Sequence, residues 1–392
     1  MKIVAAEIID VNLHNLKPPI ILKLVTDEGL TGVAEFPLAY GSGRQAAMGM
    51  LRDMVSEFVL GADPLLVEAM WHTLFRRTFW GQGGGPIIYG GISTIDIALW
   101  DIKGKALGRP VYDLLGGKVR DAIHCYCNGW YSAEFRQVNN RVPVTPEEFG
   151  DLAAQAVALG WDGLKFNPFG APPGSDWSPH ERALDPRRAE LGYARVAAVR
   201  KAVGPKVDIM VECHGWFGPT SAIEMGRRLV DLNPLFYEEP VDAMNVECMK
   251  KVADAVPIPI AAGERLYTRY GFREYIEKQA VDVLQPDVGL AGGITELKKI
   301  AAHAETYGLH VQPHNCHGPI ATAAAVQVDA CITNFITQEL VPLRDQITFD
   351  IVEDPLEMTV VNSMMPVPTK PGLGVTLNEK LVARCPKIRL GK

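Results

Sequence analysis

The chain has 392 residues and a mass of 42.9 kDa, too many for one ordinary core, so two or three domains are expected unless one is a large barrel. Hydrophobic residues make up 47% of it and charged residues 22%, which excludes a disordered or fibrous chain. The net charge of −7 argues against a nucleic-acid partner and leaves room only for local basic pockets that take small anions.

The opening stretch has no long apolar run after Lys2, and Glu7 and Asp10 interrupt it, so it does not read as a secretory signal. No run reaches the roughly 20 apolar residues of a membrane span. The seven cysteines are scattered without a CxxC pair, which fits a reduced cytoplasm better than a disulfide framework.

The first elements read as β-rich. Ile20–Thr26 runs into the turn signal Asp27-Glu28-Gly29, and Thr31–Glu35 follows, the pattern of a hairpin. Helical patterns come next, over about Gln45–Val59 and Leu65–Thr78. A third runs over Ser93–Lys103, with Ser93 as its cap and an end near Gly108-Arg109-Pro110. Residues 1–121 thus form an α+β domain.

From about residue 122 short apolar runs alternate with helix-length segments. The runs are His124–Cys127, Gly163–Asn167, Asp208–Glu212, Leu235–Glu238, Ile258–Glu264, Val283–Asp287, His310–His314 and Phe335–Glu339. Helices are expected between them, for instance over Pro146–Leu159, Thr295–Tyr307 and Ile320–Ala330. Eight such units predict a (β/α)8 TIM barrel over 122–350. The proline-rich segment 351–392 ends in a strand-like stretch expected to return to the first domain.

Acids fall where barrels place chemistry. Glu212, Glu238 and Glu264 each end a predicted strand, and successive members are 26 residues apart. Three converged carboxylates repel unless a cation sits among them, and hard oxygens with open positions suit Mg²⁺. His214 follows Glu212 by two residues and so shares its face; Lys165 and Asn167 share a face in the same way. Asp287 and His314 end the sixth and seventh strands, and an Asp beside a His orients the imidazole as a general base needs. Glu339 ends the eighth. His72, His180, His303 and His310 read as ordinary surface or core groups. The run His314-Asn315-Cys316-His317 is too tightly spaced for a zinc site and has no second cluster. Neither Gly81–Gly85 nor Gly289–Gly293 carries a phosphate-binding signature; they read as a mobile loop and a strand-to-helix turn. Trp80 and Tyr89 beside them read as packing.

The motifs Glu212-Cys213-His214-Gly215, Glu238-Glu239-Pro240, Gly263-Glu264-Arg265 and Asp287-Val288-Gly289, with the His314 and Glu339 strand ends, together resemble the enolase superfamily and, within it, the mandelate racemase subgroup. The likeness covers nearly the whole chain, including the capping domain. Lys165-Phe166-Asn167 and His214 are similar to the acid-sugar dehydratases of the galactonate and gluconate type; racemases of the subgroup have a second lysine where this chain has Asn167. Glu212 stands where the first ligand is usually Asp, as in some gluconate-type members.

The resemblance implies Mg²⁺ on Glu212, Glu238 and Glu264, and an aldonate bound through its carboxylate and C2 hydroxyl. His314, oriented by Asp287, would be the base and His214 the acid, with Lys165 and a neutral Glu339 stabilising the enolate and Asn167 contacting substrate. Specificity is expected from cap loops near 13–43 and 80–90 and from the long loop 168–177, with Trp177 and Arg182 as either sugar contacts or anchors. A homo-oligomer is the family expectation. The competing readings are a sugar-lactone cycloisomerase, an epimerase or racemase, a catalytically silent acid-sugar sensor, and a metal-dependent barrel hydrolase.

Overall fold

In the computed structural model the described residues are 1–11, 19–37, 43–131, 142–176, 182–342 and 346–391. Strands β1 (Ile3–Asp10), β2 (Ile20–Thr26) and β3 (Thr31–Phe36) form an antiparallel sheet, with β2 and β3 joined by the expected hairpin. Helices α1 (Arg44–Met54), α2 (Val67–Arg77) and α3 (Pro86–Leu107) pack beside it.

Helix α3 corrects the sequence reading. It begins at Pro86, a whole two turns before Ser93, which lies mid-helix with its hydroxyl donating to the Tyr89 carbonyl at 2.6 Å. The Gly90-Gly91 pair that looks like a breaker is a packing device. A Cβ at Gly90 would lie 2.6 Å from the Phe36 ring, so glycine lets the helix press against the sheet. The helix is buried on nearly every side because it lies between the cap sheet and the barrel. It ends as expected at Gly108, whose φ of 62° is the left-handed conformation of a helix C-terminus.

The barrel strands are β4 (Ala122–Cys127), β5 (Gly163–Phe166), β6 (Asp208–Glu212), β7 (Phe236–Glu238), β8 (Ile260–Ala262), β9 (Val283–Leu284), β10 (His310–Val311) and β11 (Gln338–Leu340). They pair in parallel in the order β10-β9-β8-β7-β6-β5-β4-β11, and a Val311–Phe335 bridge joins the two ends of that path. The eight strands are the eight runs seen in the sequence, trimmed mostly at their polar ends. Tyr126, Met210, Phe236, Ala261 and Val283 fill the barrel interior as a cluster of their own, while the larger core lies between strands, outer helices and cap. Four of the helices that begin with proline (Pro146, Pro186, Pro219 and Pro319) belong to the barrel, where the ring's fixed φ suits the first helical turn.

Strand β12 (Met364–Pro366) pairs antiparallel with β4, and β13 (Lys387–Gly391) pairs antiparallel with β1, so the last segment touches both layers. Asp101 on α3 holds this join. Its fully buried carboxylate accepts from the Val33 N–H (3.0 Å), the Leu373 N–H (3.0 Å) and Lys105 Nζ (2.6 Å). Replacing it strands two backbone donors and leaves the half-buried Lys105 ammonium to the Thr31 carbonyl. Asp101→Ala is therefore expected to cost about 3–5 kcal/mol in chemical denaturation, whereas breaking the exposed Arg52–Asp53 pair should change stability by less than about 0.5 kcal/mol.

Candidate active site

The three acids meet at the carboxyl end of the barrel. Glu212 and Glu238 are register partners on β6 and β7, and Glu264 stands two residues beyond β8. One oxygen from each lies within 4.8 Å of the others. All three are pushed above the ordinary carboxyl range, chiefly by burial, and Glu212 adds further upward pressure on Glu238. One oxygen of Glu238, Oε2, is buried without a hydrogen-bond partner.

Lys165 is the cation facing this charge. Its Nζ lies 2.6 Å from Glu238, 2.9 Å from Glu339 and 3.9 Å from Glu212. Burial alone would lower its pKa, but Glu238 and Glu339 outweigh that and keep it charged. Glu339 differs from the neutral donor expected of it. Its oxygens accept from Lys165, from Asn128 Nδ2 (2.6 Å) and from the Asn315 N–H (2.9 Å). Burial opposes ionisation there, yet Lys165 and His314 bring its pKa down to about 2. Glu339 is an ionised acceptor that anchors the lysine.

On one side of the acids stands His214, at the unusual φ of 51°. Its N–H donates to Glu212 Oε1 at 2.5 Å. The Phe169 N–H donates to Asn167 Oδ1 at 2.9 Å, which turns Asn167 Nδ2 toward His214 Nδ1, also at 2.9 Å. An amide nitrogen only donates, so Nδ1 accepts and the ring carries its proton on Nε2. Although this side chain is 40% exposed, desolvation by the surrounding site lowers its pKa, partly offset by Glu264.

On the other side His314 Nδ1 lies 2.7 Å from Asp287 Oδ2, the expected dyad, and its Nε2 lies 3.2 Å from Glu264. Burial would raise the Asp287 pKa, but His317 and His314 hold it well below the usual carboxylate range. Burial would lower that of His314, while Cys316, Glu264 and Glu339 draw it well above the usual value.

The structure thus brings together Lys165, Asn167, Glu212, His214, Glu238, Glu264, Asp287, His314 and Glu339. Several neighbours escaped the sequence reading: Asn128, just past β4; Arg265, paired with Glu239 and Glu264; and His317, on Asp287. Asn128 obeys the same strand-end rule as the acids and was visible by it. Ligand atoms of His314, Cys316 and His317 also lie within 4.8 Å of one another, closer than their spacing in sequence implied, with both rings bonded to Asp287.

Of the expected specificity elements, residues 12–18 and 38–42 of the cap loops and Trp177 lie outside the described residues, as does His180. The 168–176 stretch is pinned near its start, where Arg188 and Arg195 donate to the carbonyls of Pro168, Phe169 and Gly170 at 2.7 Å. Arg182 pairs with Asp242 at 3.0 Å. Tyr89 packs against Tyr267, whereas Trp80 is exposed rather than packed in. Gly81 is buried against the Phe75 carbonyl within a short 3-10 turn, while Gly289–Gly293 forms the expected turn into a helix. His72 and His310 are exposed, and His303 packs on Tyr307.

Comparison with known proteins agrees with this architecture. Residues 9–116 match the N-terminal domain of the mandelate racemase/muconate lactonizing enzymes, and residues 148–381 match the enolase C-terminal domain-like family. A D-galactonate dehydratase of Variovorax paradoxus is 36% identical over 367 residues, covering 92% of this chain and 89% of that one. One from Ralstonia pickettii is 38% identical over 371 residues, with 92% and 89% covered. A crystal structure of an enolase superfamily member from Salmonella Typhimurium is 40% identical and superposes with a TM-score of 0.94 over 99% of both chains. The chain is an enzyme of the enolase superfamily and belongs to its mandelate racemase/muconate lactonizing branch.

Proposed function

We propose that this enzyme is a Mg²⁺-dependent acid-sugar dehydratase, acting on an aldonate such as galactonate or gluconate to give a 2-keto-3-deoxy acid. The observation that carries the reading is the flanking of one three-carboxylate cluster by a His–Asp dyad and by a second histidine, with a buried lysine beneath. The names of the relatives support the dehydratase outcome. So does Asn167, which occupies the face where a second lysine would allow two-sided proton exchange.

Glu212, Glu238 and Glu264 would hold the cation. They fit it because one oxygen of each lies within 4.8 Å of the others and the buried Glu238 Oε2 has no partner, and oxygen donors of this kind suit a hard divalent ion. The bound ion supplies Lewis-acid stabilisation of charge on the substrate carboxylate.

Nδ1 of His314 is committed to Asp287, so Nε2 takes the C2 proton. The Glu264 carboxylate beside Nε2 draws a proton onto the ring, and engaging that carboxylate elsewhere frees the ring to act as a base. The C2–H electron pair moves into the C1–C2 bond as the enediolate forms, with the Lys165 ammonium beside the developing negative charge. Glu339 keeps that ammonium charged and aimed. The C3–O bond then breaks, His214 gives the leaving oxygen its Nε2 proton, water departs, and the enol tautomerises to the keto acid. Delivery starts from the imidazolium, so Nδ1 first gains a proton and gives up the bond it accepts from Asn167 Nδ2.

Incubation with Mg²⁺ and a panel of aldonates should release α-keto acid from at least one of them. His314→Asn should reduce that turnover by at least about 10²-fold while leaving Mg²⁺ affinity nearly intact; equal loss of both would remove His314 from the base role. Mass-conserving products throughout the panel would replace dehydration by cycloisomerisation or epimerisation. Glu238→Gln removes one charged donor and should weaken Mg²⁺ at least about tenfold by calorimetry, and an unchanged affinity would place the ion elsewhere.

A further inference from the structure

The Asp287 carboxylate has more partners than a dyad requires. Its Oδ2 accepts from His314 Nδ1 at 2.7 Å and from His317 Nε2 at 2.6 Å, and its Oδ1 accepts from the Gly289 N–H at 2.8 Å. Asp287 is fully buried and the His317 side chain is only 3% exposed. The two imidazoles stand edge to face, 83° apart with centroids at 5.8 Å. His317 Nε2 bonds the side of Asp287 in addition to the base, and Gly289 fixes the other oxygen.

Both of these anchors lead to the same piece of the cap. The residue after His317 is Gly318, whose N–H donates to Glu35 Oε1 on β3 at 2.7 Å. The other oxygen of Glu35 accepts from the Ala321 N–H at 3.4 Å, so the buried carboxylate sits on the first turn of the helix Pro319–Asp329. A Cβ on Gly318 would come within 2.7 Å of that carboxylate. Two residues beyond Glu35, Pro37 packs on Gly289 so closely that a Cβ there would lie 2.6 Å from its ring. Residues 35–37 therefore press on both turns that hold Asp287, one on each oxygen's side.

We propose that Glu35 and His317 are positioning residues for the proton-abstracting base. The cap strand end fixes the His317–Gly318 turn, His317 fixes Asp287 Oδ2, and Asp287 fixes the ring of His314. Neither Glu35 nor His317 need touch substrate. The cap then does more than cover the barrel mouth: it sets the aim of a group carried wholly by the barrel. This rests on the dehydratase reading for its kinetic consequence, but its structural consequence does not.

The test compares His317→Leu with His317→Gln, whose side-chain amide can still donate to Asp287, and Glu35→Ala with Glu35→Gln, which keeps an acceptor for Gly318. Leu and Ala should lower kcat about tenfold to a hundredfold, the scale of a misaimed reacting group, with KM and Mg²⁺ affinity within about twofold of the parent. The C2-deuterium isotope effect on kcat should grow, because proton abstraction alone is slowed. The two Gln variants should recover most of the loss. Proton NMR reads the positioning without turnover. The far-downfield N–H resonance of His314, identified by its absence in His314→Asn, should disappear or shift in His317→Leu and Glu35→Ala and survive in the Gln variants. A folded His317→Leu protein with parental kcat and an unmoved resonance would overturn the proposal. So would a uniform fall of kcat, Mg²⁺ affinity and melting temperature that Gln does not rescue. Absence of keto acid from the parent enzyme would refute the reaction, while the resonance would still decide the positioning.

Discussion

An excess of buried negative charge governs this molecule. Glu212, Glu238 and Glu339 converge on the ammonium of Lys165 at the mouth of the barrel, and Glu264 beside them pairs with Arg265 and lies against His314, where burial strengthens each charge's field. Carboxylates left in that condition take up protons or repel one another, and the raised pKa values of the three metal-side acids express it. The cost is met by rigid delivery. Each acid stands in, at the end of or just beyond a short parallel strand, so the barrel holds its backbone in place.

The same charge organises the proton-handling groups around it. Glu264 lies against His314, and Glu212 accepts from the His214 backbone, so each histidine is tied to one of the acids. On the proposed function, an ion that engages Glu264 would lower the basicity of His314 and so couple ion binding to proton abstraction. Asp287 stands outside the cluster and remains ionised, held by two imidazoles and a backbone N–H. The cap completes the frame from above through β3 and α3. Ser93 accepts from the Gly292 N–H and Asp96 from Thr295, which docks the helix after the Asp287 turn onto α3.

Much of this was legible in the sequence because strands impose a period of two and barrels impose a regular repeat. The 26-residue interval of the three glutamates, the Lys165/Asn167 pair and the Asp287 and His314 strand ends follow from those rules alone. What stayed hidden depends on contacts between segments far apart in the chain. His317 looked like part of a failed zinc motif, since nothing local reveals that it bonds Asp287, 30 residues earlier. Glu35 read as the end of a hairpin strand, and only the docking of cap on barrel brings it to Gly318. Glu339 was expected to be neutral, but Lys165, Asn128 and the Asn315 N–H around it favour the ionised form, and such donors do not show in the sequence. Ser93 misled in the opposite way: its residue type makes it a helix cap, and the structure puts it mid-helix with its hydroxyl on the Tyr89 carbonyl.

On the proposed function the carboxylate cluster holds a divalent cation. Calorimetric titration of Mg²⁺ into chelator-treated enzyme, repeated in buffers of different ionisation enthalpy and at two pH values, tests it directly. Burial pushes the ligand carboxyls upward, so the ion competes with protons for them. Binding should therefore saturate at one ion per chain with net proton release, and affinity should strengthen as pH rises. Binding without proton release, or no saturable binding at either pH, would contradict the account.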